Sequence, residues 1–338
     1  MTGPLDKYPA LKLALAPLKQ WLEEPDVMEI SINRPGFVFI ERAGAAQMER
    51  IELPGFDKSA IEHLAERVAA ATDQNVSART PLLSASLPGG ERFQAVLNPA
   101  APDGGAISIR RQITKNLTLD EYRQSGALNK ARVSTGSELS AEEQELVALL
   151  RGNDIYEFLK AAIRHKISIV ISGGTSTGKT TFLNALLKEI DSSERIITIE
   201  DTLELLPPQH NVVRLLSSKG GQGIAAVDPP KLLEASLRMR PDRLLLGELR
   251  GKEAMSFLQA INTGHPGSLT TVHANSPRGA YERLALMVME SGIQLSKTEV
   301  IDYLREVIPI VVQISRLNGR RQVTDILFTR MPMQAVSL

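Results

Sequence analysis

Residues 173–180 have the residue types and the spacing of a phosphate-binding loop (P-loop). They match the pattern G-x-x-x-x-G-K-[ST] at every fixed position. The glycines let backbone N–H groups face phosphate oxygens, and the helix after the loop adds the positive end of its dipole. We expect Lys179 to bind the β- and γ-phosphates of a nucleoside triphosphate and the Thr180 hydroxyl to ligate Mg²⁺. The predicted phosphate-binding residues are Gly173, Gly174, Thr175, Ser176, Thr177, Gly178, Lys179 and Thr180.

Two acidic residues end the next apolar strand along the chain. The segment Arg195–Ile199 is followed by Glu200 and Asp201. Ligands of a doubly wound sheet bind at the carboxyl ends of its strands. We therefore expect Glu200 to polarise an attacking water and Asp201 to support it or the metal. The alternative is a solvated acidic turn, which a neighbouring P-loop makes less favoured.

A third acid, Glu248, comes after the apolar segment Arg243–Gly247. In P-loop enzymes this is the Walker B position, which usually carries an aspartate. Here Gly247 precedes a glutamate, and the small residue leaves space beside the phosphates. We expect Glu248 to orient water or to bind Mg²⁺ through water. The alternative is a residue that caps the following helix, predicted at Gly251–Ile261.

Two of the five histidines, His265 and His273, lie within nine residues of each other. A metal site is disfavoured because the chain has no cysteine and the nearby acids have other predicted roles. His273 ends an apparent strand, where its ring can donate a hydrogen bond to a γ-phosphate. A buried structural histidine is the alternative.

The elements that must position these residues are predicted strands and helices in alternation. From Asp154 onward, helical patterns separate short apolar strands, which predicts a mostly parallel sheet flanked by helices. A C-terminal antiparallel hairpin is predicted at Ile308–Arg316 and Arg321–Thr329. The predicted parallel strands are Ile167–Ser172, Arg195–Glu200, Arg243–Gly247 and Ser268–His273.

Residues 1–115 have the pattern of a smaller α+β domain. Alternating segments predict two hairpins, at 27–40 and 83–97, and the apolar spacing at 58–71 predicts a helix. Residues 116–152 are polar and acidic, and we interpret them as a flexible linker. Residues 153–338 form the α/β domain that carries the P-loop.

The bulk composition is that of a soluble globular protein. Thirty-nine basic residues balance 39 acidic ones, so no global field favours nucleic acid. The absence of cysteine excludes disulfides and thiolate zinc sites and fits a reducing cytosolic compartment. No window approaches 18 uncharged apolar residues, so we expect any membrane association to be peripheral.

Four boxes of this sequence together resemble the secretion traffic ATPases, in particular the type IV secretion and conjugation branch. They are the P-loop, Ile-Glu-Asp-Thr-x-Glu-Leu at 199–205, Leu-Arg-x-Arg-Pro-Asp-Arg-x-x-x-Gly-Glu-Leu-Arg-Gly at 237–251, and Thr-Gly-His-Pro-Gly-Ser-x-x-Thr-x-His-Ala-Asn at 263–275. In the family these are the Walker A, aspartate, Walker B and histidine boxes. A glutamate in the Walker B box is a habit of this family.

The resemblance implies a RecA-like P-loop ATPase domain preceded by the smaller α+β domain, in a homohexameric ring. It implies ATP and Mg²⁺ as ligands, with Thr181 joining the P-loop residues, Glu200 and Glu248 placing the water, and His273 reading the γ-phosphate. It further implies that ATP hydrolysis drives substrate export or pilus biogenesis. The ring would work with other ATPases and inner-membrane components on the cytoplasmic face of the inner membrane.

Family members also bring arginines of the N-terminal domain to the nucleotide, and Arg110 is the candidate by position, with Arg111 beside it. Arg240 is a candidate for contacts between protomers, and a surface arginine is the alternative.

Four alternatives remain to be weighed on the sequence alone. Many type II secretion motors carry a tetracysteine zinc insert, and this chain has no cysteine, so that alternative is disfavoured. A pilus retraction motor of the same family is not excluded. A RecA-like helicase would need a basic groove with stacking aromatics, but aromatic content is 4%, so we expect no stable nucleic-acid binding. A scaffold that binds ATP without hydrolysis is disfavoured by the acids Glu200 and Glu248.

Overall fold

The computed structural model describes residues 4–112, 116–131, 133, 138–218 and 224–331. Its N-terminal part forms a six-stranded antiparallel sheet in the order β3-β2-β1-β6-β5-β4. The strands are β1 Val27–Ile32, β2 Phe37–Arg42, β3 Glu49–Glu52, β4 Leu82–Ser86, β5 Arg92–Val96 and β6 Ala106–Arg110. Both predicted hairpins are present, whereas the short strand β3 was not predicted.

Helices cover the apolar face of this sheet. Their bounds are α1 Pro9–Ala14, α2 Lys19–Glu23 and α3 Lys58–Ala71. The last has the predicted bounds, and Asp57 caps its N-terminus, its carboxylate accepting a hydrogen bond from Ala60 N at 2.9 Å. Its apolar side is buried with residues of the strands, which gives the N-terminal domain a core of its own.

Two helices lie within the predicted linker, α4 Leu119–Gln124 and α5 Ala141–Arg151. Each begins with a reciprocal capping box, Thr118 with Glu121 and Ser140 with Glu143. Residues 132 and 134–137 of that segment lie outside the described residues. Helix α5 buries Leu146 and Val147 in the core of the second domain, so it packs as part of that domain.

The second domain is a seven-stranded sheet in the order β13-β12-β7-β11-β10-β8-β9, parallel except for β13. Its strands are β7 Ile169–Gly173, β8 Ile196–Glu200, β9 Val212–Leu216, β10 Arg243–Leu246, β11 Leu269–Val272, β12 Ile310–Leu317 and β13 Arg320–Phe328. Its further helices are α6 Ile155–Arg164, α7 Lys179–Leu187, α8 Pro229–Leu237, α9 Glu253–Asn262, α10 Pro277–Met289 and α11 Lys297–Val307. The expected parallel strands and C-terminal hairpin are present, and β9 is an addition.

The central strands are buried along their length, and apolar clusters pack on both faces of the sheet. Strands β7, β8, β10 and β11 are mutually parallel, so they all end at one edge, which we call the carboxyl edge. We call the opposite edge, where these strands begin, the amino edge. The fold therefore gathers the loops after these four strands at a single edge.

The two domains pack against each other. Four residues of the N-terminal domain join the apolar core of the second one, namely Val96, Ala100, Ala101 and Ala106. Polar contacts accompany them: Arg214 donates to the Asp103 carboxylate, and Arg240 pairs with Glu41. Asn33 reaches into the amino edge of the second domain, where its side chain bonds those of Arg195 and Asn211.

Candidate active site

A cavity of about 400 Å³ opens at the carboxyl edge, and the predicted site residues line it except Gly173 and Gly174, which begin the P-loop, and Arg110. It lies where the P-loop between β7 and α7 meets the ends of β8, β10 and β11. The lining residues are Thr175, Ser176, Thr177, Gly178, Lys179, Thr180, Thr181, Glu200, Asp201, Thr202, Glu204, Gly247, Glu248, Arg250, Thr271, His273 and Arg321. The sequence boxes thus come together in one cavity.

The P-loop has backbone geometry that glycine makes possible. Gly178, immediately before α7, has φ +95° in the left-handed region. A Cβ on Gly173 would lie 2.6 Å from the carbonyl oxygen of Ile314 and 2.6 Å from Thr177 Oγ1. Thr177 itself donates to Gly174 O at 2.9 Å, which ties the loop into a compact turn. The loop is therefore a preformed concave backbone at a helix N-terminus.

Lys179 folds back onto this loop. Its Nζ donates to the carbonyl oxygens of Gly173 at 3.1 Å and Gly174 at 3.0 Å, and lies 3.4 Å from both ring nitrogens of His273. Burial lowers the pKa of Lys179, and the charge of Glu248 opposes that effect. The ammonium group is thus hydrogen-bonded to neutral carbonyl oxygens, which phosphate oxygens would replace.

Glu200 is buried and held by backbone groups. Its Oε2 accepts hydrogen bonds from Glu204 N at 2.7 Å and Leu205 N at 2.9 Å. Burial raises its pKa, while these two hydrogen bonds oppose the rise. The carboxylate fixes the loop after β8 and presents one side to the cavity.

Glu248 contacts both His273 and Arg250 in the lining of the cavity. Its Oε1 is 2.9 Å from His273 Nε2, and its Oε2 accepts from Arg250 at 2.6 and 2.9 Å. Arg250 also donates to Asp201 at 2.6 Å. The side chains of His273 and Arg250 are 45% and 61% exposed, so their contacts with Glu248 can be exchanged for others at little cost.

Two arginines of the cavity, Arg250 and Arg321, were not predicted as site residues. Arg250 lies in the Walker B box, and its place two residues after Glu248 was the available signal. Arg321 is the second residue of β13 in the C-terminal hairpin, and only the pairing of β12 with β7 brings that hairpin beside the P-loop. That pairing joins segments about 140 residues apart, and no local pattern encodes it.

Three other residues singled out in the sequence lie outside the cavity. Arg110, at the exposed end of β6, lines a separate cavity with Arg92 and Arg238, so the chain in this arrangement does not bring it to the P-loop. Arg240 pairs with Glu41 of the same chain. His265 Nδ1 lies 2.7 Å from the Pro241 carbonyl, and burial lowers the pKa of its ring.

Comparisons with known proteins assign the chain. A family model described as "Type II/IV secretion system protein" matches residues 12–316. The chain belongs to this family. The type IV secretion system protein VirB11 of Bartonella quintana is 40% identical over 327 residues, 93% of this chain and 91% of that protein. The VirB11 protein of Brucella suis is 41% identical over 89% of this chain and 84% of its own length.

The solved structures include a member of the same family. The crystal structure of the VirB11 ATPase from the Brucella suis type IV secretion system, in complex with sulphate, matches with a TM-score of 0.88 at 37% identity. The match covers 95% of this chain and 99% of that one. It confirms the predicted fold class, and together the relatives confirm the prediction of an ATPase that drives type IV secretion.

The site of this secretion ATPase has the chemistry that ATP and Mg²⁺ require. The P-loop backbone depends on glycine, since a Cβ on Gly173 would collide with Ile314 O and Thr177 Oγ1 and Gly178 has a left-handed φ, and Gly178 lines the cavity. The Thr180 hydroxyl and the carboxylates of Glu200 and Glu248 line the same cavity, and oxygen donors are what Mg²⁺ prefers. The residues present therefore fit both ligands.

Within the residues that the structure describes, none of the helices combines the length and the apolar character needed to span a bilayer.

Proposed function

We propose that the chain hydrolyses Mg²⁺-bound ATP at the carboxyl edge, with Glu248 as the residue that orients the attacking water. The observation that carries this proposal is the placement of Glu248 between His273 and Arg250, in the lining of the cavity. A carboxylate held by the half-exposed side chains of His273 and Arg250 can turn toward a water when phosphates draw those side chains away. Glu200 has less freedom because two backbone N–H groups hold one of its oxygens.

The remaining site residues then have distinct tasks. Lys179 leaves the carbonyl oxygens of Gly173 and Gly174 and binds β- and γ-phosphate oxygens, assisted by the P-loop amides. The Thr180 hydroxyl would hold Mg²⁺, which would neutralise phosphate charge when bound. His273, already beside Lys179 and Glu248, donates a hydrogen bond to the γ-phosphate, and Asp201 holds Arg250 while Glu248 is engaged.

The proposal extends to the assembly. The chain works as a homohexameric ring, peripheral on the cytoplasmic face of the inner membrane, together with other ATPases and membrane components of a type IV secretion system. Its turnover drives substrate export or pilus biogenesis. Family membership supports this proposal, and sizing the protein with and without Mg²⁺ and a non-hydrolysable ATP analogue tests the ring. A mass that stays monomeric under both conditions would remove the ring from the account.

Phosphate release by Lys179→Ala tests the enzymatic core. We expect turnover to fall below detection because the variant lacks the side chain that bridges the phosphates. Lys188→Ala is the matched control, since Lys188 is exposed and lies just past the C-terminus of the same helix α7. Normal phosphate release by Lys179→Ala, with Lys188→Ala also normal, would refute an ATPase at this loop.

A further inference from the structure

The C-terminal hairpin places a cation over the P-loop that the proposed mechanism leaves without a task. Strand β12 pairs in parallel with β7, and its residue Ile314 lies opposite Gly173, the first residue of the P-loop. Strand β13 returns antiparallel to β12 and pairs Arg321 with Arg316. In the strand order the hairpin lies on one side of β7, and the strands that lead to Glu200 and Glu248 lie on the other. Arg321 therefore approaches the P-loop from the side away from these two acids.

The Arg321 side chain lies against Gly178. A Cβ built on Gly178 would be 2.9 Å from Arg321 Cδ, 3.6 Å from its Nε and 3.7 Å from its Nη1. The guanidinium group thus crosses the last turn of the P-loop, directly before the lysine, and lines the cavity. Packing alone does not explain why this long flexible side chain lies there, because an exposed side chain gains little stability from being ordered.

The partners of Lys179 and Arg250, the other two basic side chains considered in the cavity, differ from those of Arg321. Lys179 rests on carbonyl oxygens, and Arg250 is held by Glu248 and Asp201. Across the described part of the chain no carboxylate forms an ion pair with Arg321, although four line the same cavity. Its cross-strand partner is another arginine, Arg316, and like charges directly opposite each other destabilise a hairpin.

We propose that Arg321 binds the phosphate chain of the nucleotide, as a cation supplied in cis by the C-terminal hairpin; this rests on the proposed ATP site. The guanidinium fork matches phosphate oxygens in pairs, and a bound anion relieves the repulsion between Arg321 and Arg316. Arg321 then completes a ring of donors around the phosphates together with the P-loop amides, Lys179 and His273. The hairpin thereby senses whether the site is filled.

Binding of two probes to purified protein tests this assignment: a non-hydrolysable ATP analogue with Mg²⁺, and inorganic tripolyphosphate, which has no base or ribose. We expect Arg321→Ala to weaken both by about tenfold, which corresponds to one charge-assisted contact at a partly exposed site. Arg321→Lys keeps the charge without the fork, and we expect it to weaken both less. The unfolding midpoints of these variants report that they are folded.

Arg320 offers a matched control on the same strand. Successive side chains of a strand point to opposite faces, and Arg320 is not among the residues that line the cavity. We expect Arg320→Ala to bind both probes like the unmodified protein. Equal affinities of Arg321→Ala and Arg320→Ala would overturn the assignment, as would a loss confined to the ATP analogue, which would mean a contact with the base or ribose.

Lys179→Ala separates this inference from the proposed function. If Lys179→Ala loses both probes and Arg321→Ala loses neither, the ATP site stands and the role of Arg321 falls. If Lys179→Ala binds both probes normally, the ATP site itself is wrong and the assignment of Arg321 falls with it.

Discussion

The two edges of the C-terminal sheet differ in how far their charged side chains are exposed, although the same strands run from one edge to the other. Strand β8 begins just after Arg195 at the amino edge and ends at Glu200, and β10 begins at Arg243 and leads to Glu248. At the amino edge the guanidinium groups are sealed, with Arg195 0% and Arg243 1% exposed. At the carboxyl edge the Arg250 side chain is 61% exposed.

The sealed arginines have partners from several distant segments. Arg243 donates to the Glu194 carboxylate at 2.8 and 2.9 Å and to the carbonyl oxygens of Ile163 and Gly267. Arg195 donates to the Met239 carbonyl and to two asparagine side chains, and burial lowers its pKa to about 10. Removing a partner from such a group leaves a buried charge and costs several kcal/mol.

The half-exposed charges of the carboxyl edge can change partners at small cost. A buried charge with several hydrogen-bond partners at one end of a strand fixes the frame, and an exchangeable charge at its other end is available to a substrate. The difference teaches that burial and the number of partners, more than residue type, separate structural from functional charges in this fold.

The largest loss of stability is expected from adding a methyl group to Gly267, at the amino edge. Gly267 has φ +74°, and a Cβ there would lie 2.6 Å from Arg243 Nη1 and 2.7 Å from Lys166 Cα. We expect Gly267→Ala to lower the free energy of unfolding by about 2 to 4 kcal/mol, from backbone strain and overpacking together. Denaturant unfolding measures it.

Gly247→Ala is the counterpart at the carboxyl edge. A Cβ there would be 3.4 Å from Glu200 Cγ, which is ordinary contact. We expect its unfolding free energy to stay within about 1 kcal/mol of the unmodified protein. Equal destabilisation by the two alanines would contradict the distinction between the edges.

Asn33→Ala removes a contact that the N-terminal domain makes with the amino edge. The Asn33 Oδ1 accepts from Arg195 at 2.7 Å, and its Nδ2 donates to Asn211 at 2.8 Å. We expect a loss of about 2 kcal/mol, the range for hydrogen bonds to a charged group. Fluorescence of Trp21, the one tryptophan of the chain and buried in the N-terminal domain, should report an earlier transition than far-UV circular dichroism.

The control for this prediction is Asn129→Ala, at an exposed asparagine. It should leave both transitions unchanged. Coincident transitions and an unchanged midpoint in Asn33→Ala would mean that the contact between the domains at Arg195 is dispensable.

Glu200→Gln tests the same difference between the two edges. It has the smallest expected effect on stability, and that effect depends on pH in a defined way. Burial raises the pKa of Glu200 above its ordinary value of 4.5, so its ionised form disfavours the folded state. The penalty is absent below the ordinary pKa and grows as pH rises through the raised pKa. We expect Glu200→Gln to match the unmodified protein at pH 4 and to be slightly more stable at pH 8, since the amide oxygen still accepts both backbone bonds. Lower stability at pH 8 than at pH 4, relative to the unmodified protein, would show that the carboxylate stabilises the fold.

Much of the site was predictable because chemistry at the carboxyl edge lies at strand ends in sequence. Lys179, Glu200, Glu248 and His273 each come at or shortly after the end of an apolar segment, and parallel strands bring such positions together. The frame was less predictable. Arg195 and Arg243 begin predicted strands, but their burial depends on Asn33, Glu194 and other residues far away in sequence.

The same limit explains the remaining differences. Arg321 required the pairing of β12 with β7, and Arg110 was assigned from family layout, whereas the packing of the two domains places it beside Arg238. Strand β3 is mostly exposed, so no apolar segment marks it in the sequence, whereas β9 lies at the edge of its sheet and has Arg214 at its centre.

A matched pair of glutamates offers the most direct measurement of the difference between the edges. Glu194→Gln neutralises the buried partner of Arg243, and Glu248→Gln neutralises a carboxylate in the lining of the cavity. Burial alone would raise the pKa of Glu194, but hydrogen bonds and charge from Arg243 and Lys166 lower it, so its stabilisation is present at neutral pH and lost as pH falls below 4.5.

Phosphate release and unfolding free energy, measured for both variants at pH 7, give the decisive result. We expect Glu248→Gln to lose turnover by about 10²- to 10³-fold with unchanged stability, because Arg250 keeps Asp201 as its partner. We expect Glu194→Gln to lose about 2 kcal/mol of stability while its folded fraction still turns over ATP. Normal turnover in Glu248→Gln, or a stability loss in it equal to that of Glu194→Gln, would contradict the account.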